Sequence, residues 1–316
     1  MSEAQRGVGR RRGVAAYWPV LAAVALVVVA AIAVARVWFF RDDARAVSTE
    51  EAVERFREVA STPSSTSDPA SPVTSMLSPP SPVMTPVTVG PSADSTVPAT
   101  APPTTPTTGA PRPLELPQPG VYRYATSGQE EIDAVGGARH DYPPETTITL
   151  TPAGCGVRLQ WDALRERRET WELCVGTGGI ELQPDAVQYH EFFSQPQEHA
   201  VECDRTAVLV PLDPDSAPAT QLRCTVAGEP WFPTWEVLER TTREVAGSEI
   251  EVVHVQMTVR DDDEYWETTT IDWFLGPTGL PVVVRGETSS KTSTLVGDVT
   301  YSEQYDLSLA SLTPLG

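Results

Sequence analysis

Four cysteines carry the clearest chemical prediction in this sequence of 316 residues. They are Cys155, Cys174, Cys203 and Cys224, an even number confined to the C-terminal two thirds of the chain. This pattern predicts two disulfide bonds in an oxidising compartment. Three pairings are possible, and we favour Cys155–Cys174 with Cys203–Cys224 because each pair brackets a predicted turn.

The favoured pairing raises a question of strand parity. If Cys155 lay directly opposite Cys174, the apolar residues that follow Cys155 would share a sheet face with Glu172. A β-bulge near Gly154 or Gly156 would restore the match, and so would a different pairing. Zinc binding is the competing interpretation of the four cysteines, but they lack the close paired spacing of structural zinc sites.

Patterns that indicate catalysis are missing from this sequence. It has no G-x-S-x-G elbow, no P-loop, no H-E-x-x-H motif and no dinucleotide fingerprint. Its four histidines are His140, His190, His199 and His254, and in so acidic a chain some contacts with carboxylates arise by chance. The acidic run 261–264 lacks the spaced ligands of a calcium loop. We therefore predict no catalytic residue, no metal and no cofactor.

Tryptophans are concentrated in the same part of the chain as the cysteines. Trp231, Phe232 and Trp235 form a compact cluster in the sequence, and Trp266 and Trp273 follow. These five residues are our candidates for lining an apolar groove or a platform on which a sugar stacks. Core packing is the alternative interpretation.

Residues 13–40 predict a transmembrane helix with aromatic residues at both ends. Residues 13–35 carry no charge, and at 1.5 Å per residue they extend about 34 Å, enough for a hydrocarbon core of about 30 Å. Arginines in the tail, residues 1–12, place the N-terminus in the cytoplasm by the positive-inside rule. A cleaved signal peptide is the alternative, because Ala33-Val34-Ala35 fits a small-x-small cleavage site.

The next segment, residues 41–60, predicts a short juxtamembrane helix that begins at Ser48 or Thr49. Its apolar face would serve as an amphipathic spacer or as a surface for a partner. The apolar positions at helical spacing are Val53, Phe56 and Ala60.

Ser, Thr and Pro make up 35 of the 53 residues in the segment 61–113. Such a composition cannot bury enough apolar surface to fold, so we predict a disordered stalk. Fully extended, it would approach about 160 Å and lift a domain away from the membrane.

Residues 114–316 predict one extracytoplasmic, all-β domain, mainly an antiparallel meander that forms a curved sheet or a half-open barrel. Residues 186–193 could be a strand or a short helix. Turn residues at 261–263 and 276–279 separate the later strands. The predicted strands lie at 121–126, 146–150, 157–161, 252–259, 265–275, 280–285 and 296–309.

The net charge of −20 restricts the kinds of molecule that the chain is expected to bind. The acidic excess lies in the β domain, which would repel the phosphates of nucleic acid, so we expect no nucleic-acid partner. Lys291 is the one lysine among 23 basic residues, a bias typical of the high-GC genomes of actinobacteria.

Two stretches, 130–143 and 155–161, resemble actinobacterial single-pass membrane proteins of the same overall plan. That family has no established activity, so the resemblance implies architecture alone. Residues 271–281 are similar to the strand–turn–strand of lipoprotein-carrier folds of the LolA/LppX type. In those folds a half-open antiparallel barrel holds acyl chains on its concave face, and no ligand-binding residue can be carried over to this chain.

These observations favour a non-catalytic, membrane-anchored envelope protein whose β domain binds a lipid or another apolar ligand. One alternative is an interaction or sensor module that binds a protein or a cell-wall glycan. A second alternative is an envelope hydrolase, which would need a histidine and a carboxylate converging on a nucleophile.

Overall fold

The computed structural model describes residues 44–61, 114–134, 137–213, 219–261, 266–294 and 297–316. The basic tail, the predicted transmembrane helix and residues 62–113 of the predicted stalk lie outside these ranges and stay predictions. In the part of the chain that is described, no helix has the length and apolar character that crossing a bilayer requires.

The described residues form one helix and seventeen strands. The helix is α1, Thr49–Ser61. The strands of the first half are β1 Gly120–Ile132, β2 Ala138–Asp141, β3 Glu145–Ala153, β4 Gly156–Asp162, β5 Arg167–Val175, β6 Gly179–Leu182, β7 Asp185–Phe192, β8 Gln195–Cys203 and β9 Ala207–Pro211. Those of the second half are β10 Thr220–Gln221, β11 Cys224–Val226, β12 Glu229–Trp231, β13 Thr234–Val245, β14 Ser248–Asp261, β15 Trp266–Leu275, β16 Pro281–Thr294 and β17 Gly297–Leu309.

The predicted all-β class and the antiparallel meander are confirmed. Strands β13 to β17 pair in sequence order, and β17 pairs with β1. Strand β1 also pairs with β2 and β3, from which the sheet continues through β4 to β5. A smaller group, β7, β8, β11 and β12, extends from β5. The sheet does not close on itself. The ambiguous segment 186–193 is mostly strand, in β7.

Alternating apolar residues bury the inner face of this sheet. The completely enclosed side chains include Tyr124 in β1, Leu159 in β4, Leu275 in β15 and Leu307 in β17. Burying a large apolar side chain stabilises the fold by about 1.5–3 kcal/mol relative to exposing it. The core therefore joins strands that are far apart in the sequence.

Both favoured disulfides are present, and each described cysteine is bonded. Sulfur atoms held in disulfides cannot ligate zinc, so the competing interpretation is wrong. The parity problem disappears without a bulge, because Cys155 lies in the turn between β3 and β4. Gly156 stands opposite Cys174, and Val157 therefore faces Leu173.

Removal of either disulfide tests what the bonds stabilise. The two bonds close loops of similar size, with sequence separations of 19 and 21. Chain entropy alone predicts a loss of about 3 kcal/mol in the free energy of unfolding for either pair changed to serine. We expect the Cys203→Ser/Cys224→Ser chain to lose more, because β11 has three residues and is pinned to β8 at this bond. Urea unfolding of both double variants measures the difference, and equal losses would contradict the pinning role.

Residues 44–61 pack on the β domain. Ser48 is the N-cap of α1, because its hydroxyl accepts a hydrogen bond from the backbone N–H of Glu51 at 3.2 Å. Ala52 is fully buried, and Val53 and Phe56 pack beside it. Ala60, which we expected on the same face, is exposed. The β domain therefore covers the apolar face of α1. From the sequence, this face was expected to belong to an amphipathic spacer or to bind a partner.

Candidate functional site

A pocket lies between the meander and the smaller group of strands. On the meander side, Trp235 in β13, Met257 in β14 and Ile271 in β15 are direct neighbours across the strands and line the pocket together. Trp273 lies two residues beyond Ile271 and therefore on the same face of β15. Trp231, at the end of β12, contributes the rim.

The opposite wall comes from the strands around β5. Trp171 in β5 contacts Trp273 edge to face, with ring centroids 5.2 Å apart, and Trp235 meets Trp273 in the same way at 6.1 Å. Such arrangements stabilise aromatic pairs beyond their burial. The other apolar residues of the lining are Leu182, Pro184, Ala186, Val201, Leu222 and Pro233. We name this site, lined by four tryptophans, the aromatic pocket.

The aromatic pocket is narrow in this structure, with a cavity volume of about 50 Å³. This is room for a few water molecules and far less than the roughly 300 Å³ of a typical ligand site. Trp171 and Trp273 also border a void of about 10 Å³ on the core side. The indole N–H of Trp273 is buried without a hydrogen-bond acceptor in the described part of the chain. The lining of the pocket is mainly apolar, and its polar residues are Glu169, Gln183 and Gln188.

The five candidate residues are divided by the structure. Trp231, Trp235 and Trp273 meet in the aromatic pocket. Phe232 is half-exposed and is not part of the lining. Trp266 is the first residue of β15, and its side chain lies outside what is described. Sequence reasoning missed Trp171, although Trp171 shares its strand parity with the buried Leu173.

A cluster of buried ionisable groups adjoins the pocket through Glu169, which belongs to both. The positively charged member of this cluster is Arg167, which lies at the start of β5 and is 1% exposed. The Arg167 guanidinium donates to both carboxylate oxygens of Glu303, at 2.9 and 3.0 Å, and also to Glu169. The Tyr142 hydroxyl donates to Glu303. The Arg167 guanidinium therefore donates hydrogen bonds to two buried carboxylates, those of Glu169 and Glu303.

The other half of the cluster is built on Glu130 in β1. His140 Nδ1 donates to one oxygen of this carboxylate at 2.8 Å, and His190 Nδ1 donates to the other at 3.1 Å. The Tyr301 hydroxyl adds a hydrogen bond of 3.2 Å. Glu130 stands directly opposite Glu303 in the pairing of β1 with β17. Two like charges in that position repel each other, and the Arg167 guanidinium, which lies 4.0 Å from Glu130 and 2.9 Å from Glu303, offsets this repulsion.

The pKa values follow from this arrangement. Burial alone would raise the pKa of Glu130, but the hydrogen bonds of His140 and His190 and the nearby charge of Arg167 lower it to about 2. Burial raises the pKa of Glu169. Burial would lower the pKa of Arg167, yet Glu169 and Glu303 raise it well above its ordinary value. Glu130 and Arg167 are therefore charged throughout the physiological range.

The remaining histidines are placed apart from this cluster. His254 Nε2 contacts Asp272 at 2.8 Å, and the imidazole stacks on Phe274 with ring centroids 4.2 Å apart. His199 in β8 is half-buried, and burial lowers its pKa. All four histidines therefore lie on strands of the sheet.

Comparisons of this chain with protein-family models, with curated proteins and with solved structures give no match. The resemblance to actinobacterial membrane proteins and to lipoprotein carriers stays a prediction. What the chain itself defines is an antiparallel β domain with two disulfides and an aromatic pocket.

Proposed function

We propose that this chain is a non-catalytic, membrane-anchored envelope protein whose β domain binds an acyl chain in the aromatic pocket. The observation that carries the proposal is the lining of that pocket. Four tryptophans and a set of aliphatic residues, drawn from both halves of the fold, line one cavity. Sites that bind apolar ligands have this composition, with few polar groups.

The pocket has to widen before an acyl chain can enter, because its cavity of about 50 Å³ is far smaller than the roughly 300 Å³ of a typical ligand site. The strands at its rim are short: β10 has two residues, and β11 and β12 have three each. Short strands have few backbone hydrogen bonds to break, so local opening costs less there than in the long meander. The Cys203–Cys224 bond fixes the end of the β11–β12 hairpin at which Trp231 stands opposite Cys224, and the turn at residues 227–228 is the end away from the bond.

An extracytoplasmic location of the β domain is consistent with this proposed function. Two disulfides indicate an oxidising, extracytoplasmic environment for the β domain. The proposed anchor is the apolar segment 13–40, which would hold the domain beside a source of acyl chains. The unpaired indole N–H of Trp273 offers a donor to a carbonyl or carboxylate oxygen of the ligand.

A photoreactive fatty acid tests the proposal on the full chain. The probe carries a diazirine in the middle of its acyl chain, and labelled peptides are located by mass spectrometry after digestion. We expect labels on the strands that carry Trp171, Trp235 and Ile271. Ala186→Phe would fill the pocket, and the label on these peptides should fall about tenfold, equivalent to about 1.4 kcal/mol of binding free energy.

The matched control lies on the same hairpin. Ala200 in β8 is exposed and stands opposite Val187, the residue after Ala186. Ala200→Phe adds the same side chain outside the pocket and should leave the label unchanged. Labels confined to residues 1–43, or equal losses for the two variants, would contradict acyl-chain binding in the aromatic pocket.

A second candidate function is an interaction module for a glycan or a protein. It is favoured by a polar groove of about 480 Å³ that crosses β1, β15, β16 and β17. The Tyr305 ring packs on Gly286 in β16 and occupies the space that a Cβ would take there. Failure of the labelling experiment would move the search for a ligand to this groove. Its charged residues are Asp272, Arg285, Glu287 and Asp306.

A further inference from the structure

Residues 44–61 form hydrogen bonds with the β domain through their backbone as well as their side chains. The backbone N–H of Arg165 donates to the carbonyl of Arg45 at 2.9 Å. Glu166, which is buried in the turn between β4 and β5, accepts from the backbone N–H of Arg45 and from its Nε, both at 2.8 Å. A charge-assisted pair on a buried carboxylate is among the stronger hydrogen-bond arrangements.

The helix that follows adds an apolar contact and three polar ones. Val47 and Ala52 are buried against Val121 at the start of β1. The polar contacts join residues that are about a hundred positions apart in the sequence. They are Thr49 Oγ1 to Glu145 at 2.7 Å, Arg165 to Glu51 at 2.7 Å, and Arg55 to Asp162 at 3.5 Å.

We propose that residues 44–61 are a clip that belongs to the β domain, so that residues 62–113 are an insertion in that domain and not its stalk. Both flanks of the insertion then belong to one folded unit. Three residues, 41–43, separate the clip from the end of the predicted membrane span. Extended, they reach no more than about 15 Å. The β domain would therefore lie close to the membrane surface, whereas a stalk could carry it about 160 Å away.

This inference is independent of the proposed acyl-chain binding. It concerns which part of the chain holds the domain in place. It also predicts that a proteolytic cut within residues 62–113 does not release the domain.

Cleavage of the full chain tests the clip. A specific protease site is inserted after Gly90, the detergent-solubilised chain carries an N-terminal tag, and the C-terminal fragment is measured on the tag resin after cleavage. We expect the fragment to stay bound, in a complex with the mass of one chain by light scattering. Prompt separation of the two fragments would overturn the proposal. A complex of twice that mass would also overturn it, because two copies would then exchange their clips.

Two alanines of α1 provide a matched pair of variants. Ala52→Asp places a charge against the buried face, and retention of the fragment should fall about tenfold or more. Ala60→Asp introduces the same charge at an exposed position and should retain the fragment like the parent chain. Equal retention for the two variants would contradict the clip.

Charge-reversal variants test the clip independently, in case Ala52→Asp prevents the β domain from folding. Glu51→Arg or Arg165→Glu breaks an ion pair in which neither side chain is buried, so the β domain should fold in each case. Each single change should speed release of the fragment after cleavage. The double change restores the pair and should slow release again, and failure of that rescue would count against the clip.

Discussion

Changing Arg167 to methionine should destabilise the β domain by about 3–5 kcal/mol, the largest effect that we expect from a single substitution. The guanidinium is buried and donates to Glu169 and to both oxygens of Glu303. Methionine fills a similar volume but supplies no charge. The two carboxylates would then be buried without a cation, and Glu130 would repel Glu303 across the strand pair. Urea unfolding followed by tryptophan fluorescence measures the loss.

Arg158 supplies the control for this prediction. It forms an ion pair with Glu172, but its side chain is half-exposed. Arg158→Met should therefore cost less than about 1 kcal/mol. A triple variant, Arg167→Met with Glu169→Leu and Glu303→Leu, replaces the buried charges by apolar side chains and should recover much of the loss. Equal stability of Arg158→Met and Arg167→Met would show that the buried cation is not needed.

Strand periodicity could predict most of the meander from the sequence. Alternation identified β14 to β17 because each is long, half-buried and flanked by clear turn residues. The cysteine spacing gave both disulfides for a similar local reason. Strand β13 was not predicted although it has twelve residues, because few of its side chains are buried and its apolar residues alternate little. Strand β16 extends to Thr294, beyond the predicted end at residue 285. The short strands β10, β11 and β12 were not predicted either, since two or three residues show no period. Their pairing depends on contacts with β8 and β13, which are distant in the sequence.

Strand parity in the sequence indicates the burial of the ionisable cluster. Glu303 shares its parity with Tyr301, Tyr305 and Leu307, all on one side of β17. A charged residue in such a position must be buried with the apolar ones or break the strand. Arg167 follows the same rule with Leu173 in β5. Parity can thus indicate which charges are buried, although it cannot tell which of them meet.

The sequence could not predict that the clip packs on the β domain, and here the reason is a different one. The spacing of Val53 and Phe56 indicates an apolar face, and periodicity says nothing about what covers it. Its partners, such as Asp162 and Glu166, lie about a hundred residues along the chain. The candidate pocket was foreseen in part, because Trp231 and Trp235 are close in the sequence, whereas Trp171 reaches the site only through the three-dimensional fold.

Acid should weaken the domain through Glu130. The pKa of this carboxyl is about 2 in the folded chain, against 4.5 as its ordinary value. A group whose pKa is depressed by folding stabilises the fold above its unfolded pKa, and this contribution disappears as the pH falls from about 4.5 to about 2. The difference corresponds to roughly 3 kcal/mol. Glu169, whose pKa burial raises, acts in the opposite direction and offsets part of the loss.

Glu130→Gln isolates this contribution. Glutamine keeps the shape and cannot ionise, so the variant should be less stable than the parent chain at pH 7, and the gap should narrow as the pH approaches 2. Glu131→Gln is the control, because Glu131 is the next residue of β1 and is exposed. Urea unfolding at a series of pH values compares the three chains. A gap that stays constant from pH 7 to pH 2 would mean that His140 and His190 hold Glu130 by shape and not by its charge, and the buried cluster would then lose its electrostatic explanation.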